Sequence, residues 1–348
     1  MKNQGNLHKK GDLLDKIITY SPPELGKSIE VSFFLHEPKE INSQVLGLKN
    51  NALLVVDGNL DKTKVDLVLS LINKYVKKIS VYKLDCGSKD LTRVRKIWDK
   101  MIQAHPDVVI ALGGGTTCDL VGFAASCYHR GLDHIFFPTT LLSMIDASIG
   151  GKTGIDFGGV KNSIGQVHYA LESYCIFPFL ETLKYEELIS GFSEVIKAGM
   201  LFDEKLIQLI EKLPPTFKIS YSWFVAVSRG AELKAKISEK SFSQRSKLLY
   251  GHNIGHGFET LDSIHRRHGD CVSIGMNYEL ALGVVANLVN KDIWNRQNRL
   301  LNKFGLPVFI PKITNFEKIK KKMRQYKLYK DNTYLFVIPS ILLYEPPP

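Results

Sequence analysis

DVVIALGGGTTCDLVGFAAS, residues 107–126, reads as a buried strand, a glycine turn and a helix in immediate succession. An uninterrupted apolar run closed by glycine is the pattern of a strand covered on both faces, as in a parallel sheet. Gly113, Gly114 and Gly115 then let backbone amides approach an anion, and the helix start adds partial positive charge. The glycines lack the GxGxxG spacing, and no P-loop lysine follows. A tight structural turn would use the same residues, so the triplet alone leaves both readings open.

Outward from this stretch the same alternation repeats. Strands are expected at 29–36, 52–59, 79–84, 107–115 and 134–140, with helical spacing at 61–78 and 90–104. Such an order predicts an α/β domain built on a doubly wound, mostly parallel sheet, with ligands at the carboxyl ends of the strands. From about residue 180 the pattern becomes helical, with amphipathic stretches at 183–212, 221–240, 246–261, 271–290 and 293–304 and a last short strand at 334–339. The expected division is an α/β domain over 1–170 and an all-α domain over 171–348, with a loop-rich stretch ending near 165–180.

The 348 residues are enough for two cores, and 44% apolar with 23% charged residues is ordinary for a globular chain. No apolar run approaches the roughly 20 residues that span a bilayer. The N-terminal lysines lack an apolar segment behind them, so a cytoplasmic protein is expected. Five scattered cysteines without a CxxC pair argue against a disulfide framework or a cysteine zinc site. Much of the +11 net charge lies in Lys318, Lys320, Lys321, Lys322, Arg324, Lys327 and Lys330, which read first as a solvated helix face. No aromatic-interleaved nucleic-acid module surrounds them.

Three further segments carry chemistry. PTTLLSMIDASIGGKTGIDFGGVKN, residues 138–162, sets Asp146, Lys152, Asp156, Lys161 and Asn162 among small residues and reads as a loop able to hold phosphate or hydroxyls. GHNIGHGFE, residues 251–259, places His252, His256 and Glu259 on one helix face, with His268 opening the next helix. Imidazoles with a carboxylate suit a catalytic zinc that keeps an open position, although paired histidines without metal share the spacing. GFSEVIKAG, residues 191–199, aligns Glu194 with Lys197, by spacing an ordinary salt bridge.

These segments, with YHRG, residues 128–131, and GVKNSIG, residues 159–165, occur in the order of a known family, and the chain resembles the 3-dehydroquinate synthases from about residue 50 to 280. The resemblance implies an NAD-binding α/β domain, a helical metal- and substrate-binding domain, catalysis between them, and a homodimer acting on a small sugar phosphate without nucleic acid or membrane. It assigns zinc or cobalt to Glu194, His252 and His268, so that His256 becomes a phosphate or proton-transfer residue. NAD is assigned to Asp57, Asn59, Lys89, Gly114, Gly115, Asp119, Thr139, Thr140, Lys152 and Lys161. Substrate is assigned to Asp146, Lys152, Asn162, Lys197, Lys234, Arg245 and Lys327, and Arg130 reaches the neighbouring subunit's site. The implied activity is a phosphate-eliminating lyase: transient oxidation by NAD, β-elimination, re-reduction and intramolecular aldol closure. The implied setting is the shikimate pathway of aromatic amino acid biosynthesis.

Arg245, seven residues before His252, is similar to the arginine that reads the carboxylate of 3-deoxy-arabino-heptulosonate 7-phosphate in this family. Other positions depart from it. Leu249 replaces a substrate-facing asparagine, Cys86 a ribose-binding glutamate, and Asp270-Cys271 a Glu-Ala pair. The loop from Lys234 to Arg245 is short, with Ser241-Phe242-Ser243 in place of an acidic pair, and Tyr326-Lys327-Leu328 blurs an Asp-Lys-Lys. A secondary-metabolism cyclase similar to 2-deoxy-scyllo-inosose or 2-epi-5-epi-valiolone synthase is the leading alternative. A metal-dependent polyol dehydrogenase and a non-catalytic ligand-binding descendant stand behind it.

Overall fold

The computed structural model describes residues 7–10, 13–259, 266–310, 316–324, 329–330 and 333–339. Its contacts divide the chain into two compact units, 1–183 with 219–224, and 184–218 with 225–348.

The first unit is built on an eight-stranded sheet in the order β1-β2-β3-β10-β7-β6-β4-β5. The ranges are β1 (Leu7–Lys10), β2 (Leu13–Tyr20), β3 (Ile29–Phe34), β4 (Asn51–Asp57), β5 (Lys78–Leu84), β6 (Val108–Gly113), β7 (His134–Pro138) and β10 (Glu172–Ile176). Six strands from β3 to β5 run parallel, and β1 and β2 add an antiparallel edge. Every residue of β6 is buried, as its unbroken apolar run requires. Helices α1 (Lys62–Ile72), α2 (Leu91–Ala104) and α3 (Gly115–Cys127) make the crossovers. The chain passes from β4 outward to β5 and then returns to β6 on the other side of β4. Right-handed crossovers therefore put α2 and α3 on one face and α1 on the other. Trp98 Nε1 donates to Ala124 O at 3.0 Å between α2 and α3. The same reversal makes the carboxyl ends of β4 and β6 the switch point, where an open α/β sheet leaves a crevice.

The five expected strands fall where the sequence placed them, within a few residues at their ends. Three differences matter. The helix expected over 61–78 stops at Ile72, with Asn73 as its C-cap. Strands β1, β2 and β10 lie outside the expected set. The stretch read as a loop instead holds a π-helical turn (Ser143–Ala147) and a two-stranded hairpin, β8 (Lys152–Phe157) and β9 (Val160–Val167). Gly158 and Gly159, with φ of 61° and 73°, form its turn, which a residue with a side chain would enter only under strain.

The second unit contains α4 (Tyr185–Phe202), α5 (Glu204–Lys212), most of α6 (Tyr221–Ser238), α7 (Phe242–Arg245), α8 (His252–Glu259), α9 (His268–Val285), α10 (Lys291–Lys303) and α11 (Phe316–Met323). The stretch expected as one helix over 183–212 breaks at Asp203, whose carboxylate caps α5 by accepting from Lys205 N and Leu206 N. Over 246–261, a 3-10 turn at 246–249 precedes α8. Helix α9 begins at His268, the residue expected to open it, and is buried on nearly all sides instead of being amphipathic. Its glycines permit this. A Cβ on Gly269 would lie 1.7 Å from Ser190 O of α4, and one on Gly275 1.8 Å from Gly251 O before α8. The strand expected at 334–339 shrinks to β12 (Thr333–Tyr334), paired with β11 (Tyr329–Lys330). In α11, Ile319 and Met323 pack on Phe258, Cys271 and Ile274, while Lys318, Lys321 and Arg324 are exposed.

Candidate functional site

In the helical unit the close approach of α9 to α4 and α8 brings a set of polar side chains together. Ligand-competent atoms of Glu194 on α4, His252 on α8 and His268 on α9 all lie within 4.8 Å of one another. His252 Nδ1 stands 3.1 Å from Tyr250 O, a carbonyl that can only accept. That ring therefore carries its proton on Nδ1 and presents Nε2 as a donor to a metal. Glu194 Oε1 is buried without a hydrogen-bond partner, and His268 Nε2 is 3.6 Å away. Two imidazoles and a buried carboxylate oxygen lacking a donor fit a divalent cation with an open coordination position.

The charges around this group are unusual for a protein interior. Burial opposes ionisation of Glu194, yet Lys197 beside it and His268 hold its carboxyl well below the usual range. Lys197 forms an ion pair with Glu194 and donates to Leu248 O at 2.9 Å. Burial works against a charge on His268 too, but Glu259 and Glu194 push its pKa up to about 10. His252 is driven well down by burial and by Lys197. Two carboxylates thus converge on His268, and a proton or a metal ion is the positive charge that such a convergence requires.

His256 is not among the three grouped donors. Its Nδ1 lies 3.1 Å from Glu259 Oε2. Glu279 on α9 is a further buried carboxylate, accepting from Gly251 N at 2.9 Å and Asn253 N at 3.2 Å. It secures the entry to α8, and burial pushes its carboxyl up to about 8. Leu249 is buried immediately before the histidine helix, and Arg245, which closes α7, donates from Nε to Lys240 O at 2.8 Å. Lys234 lies half-buried on α6, and Lys327 falls outside the described residues.

The second set of expected residues collects at the switch point of the sheet unit. Asp57 ends β4; its Oδ2 accepts from Thr117 Oγ1 at 3.0 Å and its Oδ1 from Asn59 N at 3.0 Å. Cys86 Sγ donates to Asn59 Oδ1 at 3.0 Å. Lys89 pairs with Asp119 at 2.6 Å and also donates to Asn162, whose φ is 51°. Thr139 N donates to Gly113 O at 2.9 Å, which aligns Gly114, Gly115, Thr139 and Thr140 at the ends of β6 and β7.

Helix ends distinguish this place. Asp61 and Asp90 cap α1 and α2 by accepting from Lys64 N and Arg93 N, whereas Gly114 opens α3 with no side-chain cap. A Cβ there would sit 3.1 Å from the Thr140 methyl. An uncapped helix start lined by glycine suits a dinucleotide phosphate. Asp146 lies in the π-helical turn, Lys152 opens β8 and Lys161 lies in β9, both lysines exposed. Arg130 follows α3 with a φ of 67°, beside His129 at 50°.

A sheet with an open switch point and a helical unit bearing a Glu-His-His group together define a class, an α/β nucleotide-type unit followed by a candidate metal unit. The family described as 3-dehydroquinate synthase N-terminal matches residues 81–190, and that described as 3-dehydroquinate synthase C-terminal matches residues 191–328. The chain belongs to the 3-dehydroquinate synthase family. It is 32% identical over 313 residues to a 3-dehydroquinate synthase from Ruminiclostridium cellulolyticum, covering 86% of this chain and 87% of that one. Its fold is similar to a 2-deoxy-scyllo-inosose synthase solved with carbaglucose-6-phosphate, NAD+ and Co2+ (TM-score 0.78, 18% identity, 92% and 89% covered). It is also similar to a 2-epi-5-epi-valiolone synthase from Streptomyces hygroscopicus subsp. jinggangensis solved with NAD+ and Zn2+ (TM-score 0.75, 22% identity, 88% of each chain covered). No helix among the described residues is long and apolar enough to cross a membrane.

Proposed function

We propose that this chain is a 3-dehydroquinate synthase-like cyclase that converts a sugar phosphate, first of all 3-deoxy-arabino-heptulosonate 7-phosphate, to a carbocycle with loss of phosphate. The observation that carries the reading is the Glu194-His252-His268 group, its carboxylate buried and Lys197 packed against it. Membership of the family supports it. Bound at their sites, a divalent metal supplies Lewis-acid polarisation of a substrate oxygen and NAD a reversible hydride acceptor. Glu194, His252 and His268 would hold the metal; Asp57, Asn59, Lys89, Gly114, Gly115, Asp119, Thr139, Thr140 and Lys161 would hold the dinucleotide.

Lys197, anchored by Glu194 and Leu248 O, is a fixed positive charge for an oxygen that gains electrons as the adjacent C–H is broken. Arg245 reads the substrate carboxylate, and Lys152, Asn162, Lys234 and Lys327 its phosphate and hydroxyls. Asp146 orients a hydroxyl, and His256 exchanges a proton with the substrate. The alcohol is oxidised and later restored, so phosphate leaves by β-elimination with no net redox change before the ring reopens and closes by an aldol step.

The reading includes a homodimer in the cytoplasm, with Arg130 reaching the neighbouring site. Phe157, Val160, Ile164 and Val167 lie exposed on the β8–β9 hairpin and support a subunit contact, and all five cysteines are free thiols, as in a reducing compartment. Leu249 favours a second reading, a cyclase for a neutral sugar phosphate, because its buried side chain offers no hydrogen bond.

Phosphate release with NAD and zinc tests both. Turnover of 3-deoxy-arabino-heptulosonate 7-phosphate alone supports the first reading. Turnover of sedoheptulose 7-phosphate or glucose 6-phosphate supports the second, and inactivity on all three rejects both.

A further inference from the structure

We propose that Glu259 is a positioning residue for the metal centre, one carboxylate that sets the orientation and tautomer of both His268 and His256. The inference rests on the proposed metal role of Glu194, His252 and His268. Glu259 closes α8, and its side chain is only 9% exposed. Its Oε2 lies 3.2 Å from His268 Nδ1 and 3.1 Å from His256 Nδ1. An ionised carboxylate only accepts, so each ring places its proton on Nδ1.

For His268 this directs Nε2 toward the metal group, where Glu194 Oε1 stands 3.6 Å away. A carboxylate that accepts from the far nitrogen of a ligating imidazole fixes the ring and raises the basicity of the nitrogen that binds the metal. For His256 the same oxygen fixes the same tautomer in a ring outside the metal group. The ring centroid of His256 is 5.9 Å from that of His268, and it is not one of the three grouped donors, so the tautomer leaves its basic atom, Nε2, on a ring that does not share in the metal group. Glu259 therefore ties together a ligand and a proton carrier that lie on different helices. His252 needs no such partner, since Tyr250 O performs the task from the backbone.

The test is zinc affinity of the full-length chain, stripped of metal and titrated against a competing chelator, for the natural sequence and for Glu259→Gln, Glu259→Asp and Glu259→Ala. Loss of an outer carboxylate partner is expected to weaken zinc about 10- to 100-fold, most in Glu259→Ala and least in Glu259→Asp. The Co2+ absorption spectrum of Glu259→Gln should shift as His268 loses its fixed orientation. Affinity within about twofold of the natural chain in both Glu259→Gln and Glu259→Ala, with an unchanged cobalt spectrum, overturns the proposal.

A measurement on the natural chain guards against misfolded variants. Nitrogen-15 spectra of histidine-labelled, zinc-loaded protein should show Nδ1 protonated in His256 and His268, and zinc on Nδ1 of His268 overturns the proposal. If the natural chain binds no zinc, the metal reading itself has failed and the role of Glu259 falls with it. If it binds zinc but Glu259 is indifferent, only the positioning role is lost.

Discussion

The two candidate sites differ in what holds their charged groups. In the helical unit Lys197 and Glu194 are 4% and 5% exposed, and the group is assembled from side chains on three packed helices. At the switch point of the sheet unit Lys89 and Asp119 are 14% and 20% exposed, and much of the surround is backbone at strand and helix ends. A buried ion pair that loses one partner leaves an uncompensated charge, at a cost of about 3–5 kcal/mol, whereas a fully exposed pair is worth about 0–1 kcal/mol, and the half-buried Lys89–Asp119 pair lies between these limits. The first arrangement is rigid and costly to perturb, as suits a centre that must fix the position of a small ion. The second tolerates adjustment, as suits a long, flexible cofactor.

The largest expected effect is that of His268→Ala. It should abolish zinc binding and lower turnover about a thousandfold or more, while the sheet unit keeps its circular dichroism. Retained metal and activity would break the contrast at its root. Next, Lys197→Met should destabilise metal-free protein by about 3–5 kcal/mol and Lys89→Met by distinctly less, read by urea unfolding. Equal losses would mean that burial does not separate the two pairs.

The same glycine substitution sharpens the comparison further. Gly269→Ala must displace the Ser190 carbonyl and should cost about 3 kcal/mol, with weakened zinc binding. Gly114→Ala meets only the Thr140 methyl and should cost about 1 kcal/mol or less, its main effect being weaker NAD binding measured by calorimetry. Arg245→Ala should lower kcat/KM about 10- to 100-fold for a carboxylate-bearing substrate and leave a neutral sugar phosphate unchanged.

A separate expectation concerns pH. His134 is buried in β7, and burial, then the charge of His168, push its ring down to about 3 from an ordinary 6.5. The unfolded chain takes up the proton first, so this contribution to stability is complete above pH 6.5 and lost as pH falls toward about 3. His134→Phe should flatten that acid limb in denaturation measured at about pH 7 and about pH 5. An unchanged limb would assign acid sensitivity to other groups.

Much of the fold was legible because apolar runs and glycine punctuation coincide in β4, β6 and β7. What escaped has physical reasons. Strand β10 carries Glu172, a polar residue inside a fully buried strand, satisfied by Gln44 N, Val45 N and Tyr174 OH from distant or neighbouring positions that a local pattern does not contain. Strand β2 alternates, with Ile18 and Tyr20 buried and Ile17 and Thr19 exposed, but its short apolar pattern sits among lysines that mask it. The Gly158-Gly159 turn was a readable hairpin signal, obscured by the other glycines around it.

At the Glu-His-His group the spacing of Glu194 and Lys197 reads as an ordinary salt bridge. Only burial, a property of the packed unit, changes its meaning. Glu259 was visible on the histidine face by its spacing, yet its contact with His268 depends on α9 returning against α8.

The covering of α8 by α11 has a consequence in time. All eight strands of the main sheet have left the ribosome once residue 176 has emerged. The Glu-His-His group needs His268, and the rear of its histidine helix stays bare until Ile319 and Met323 arrive. A chain in the course of synthesis thus acquires its sheet first, and its Glu-His-His group is assembled and covered only well after the sheet is complete.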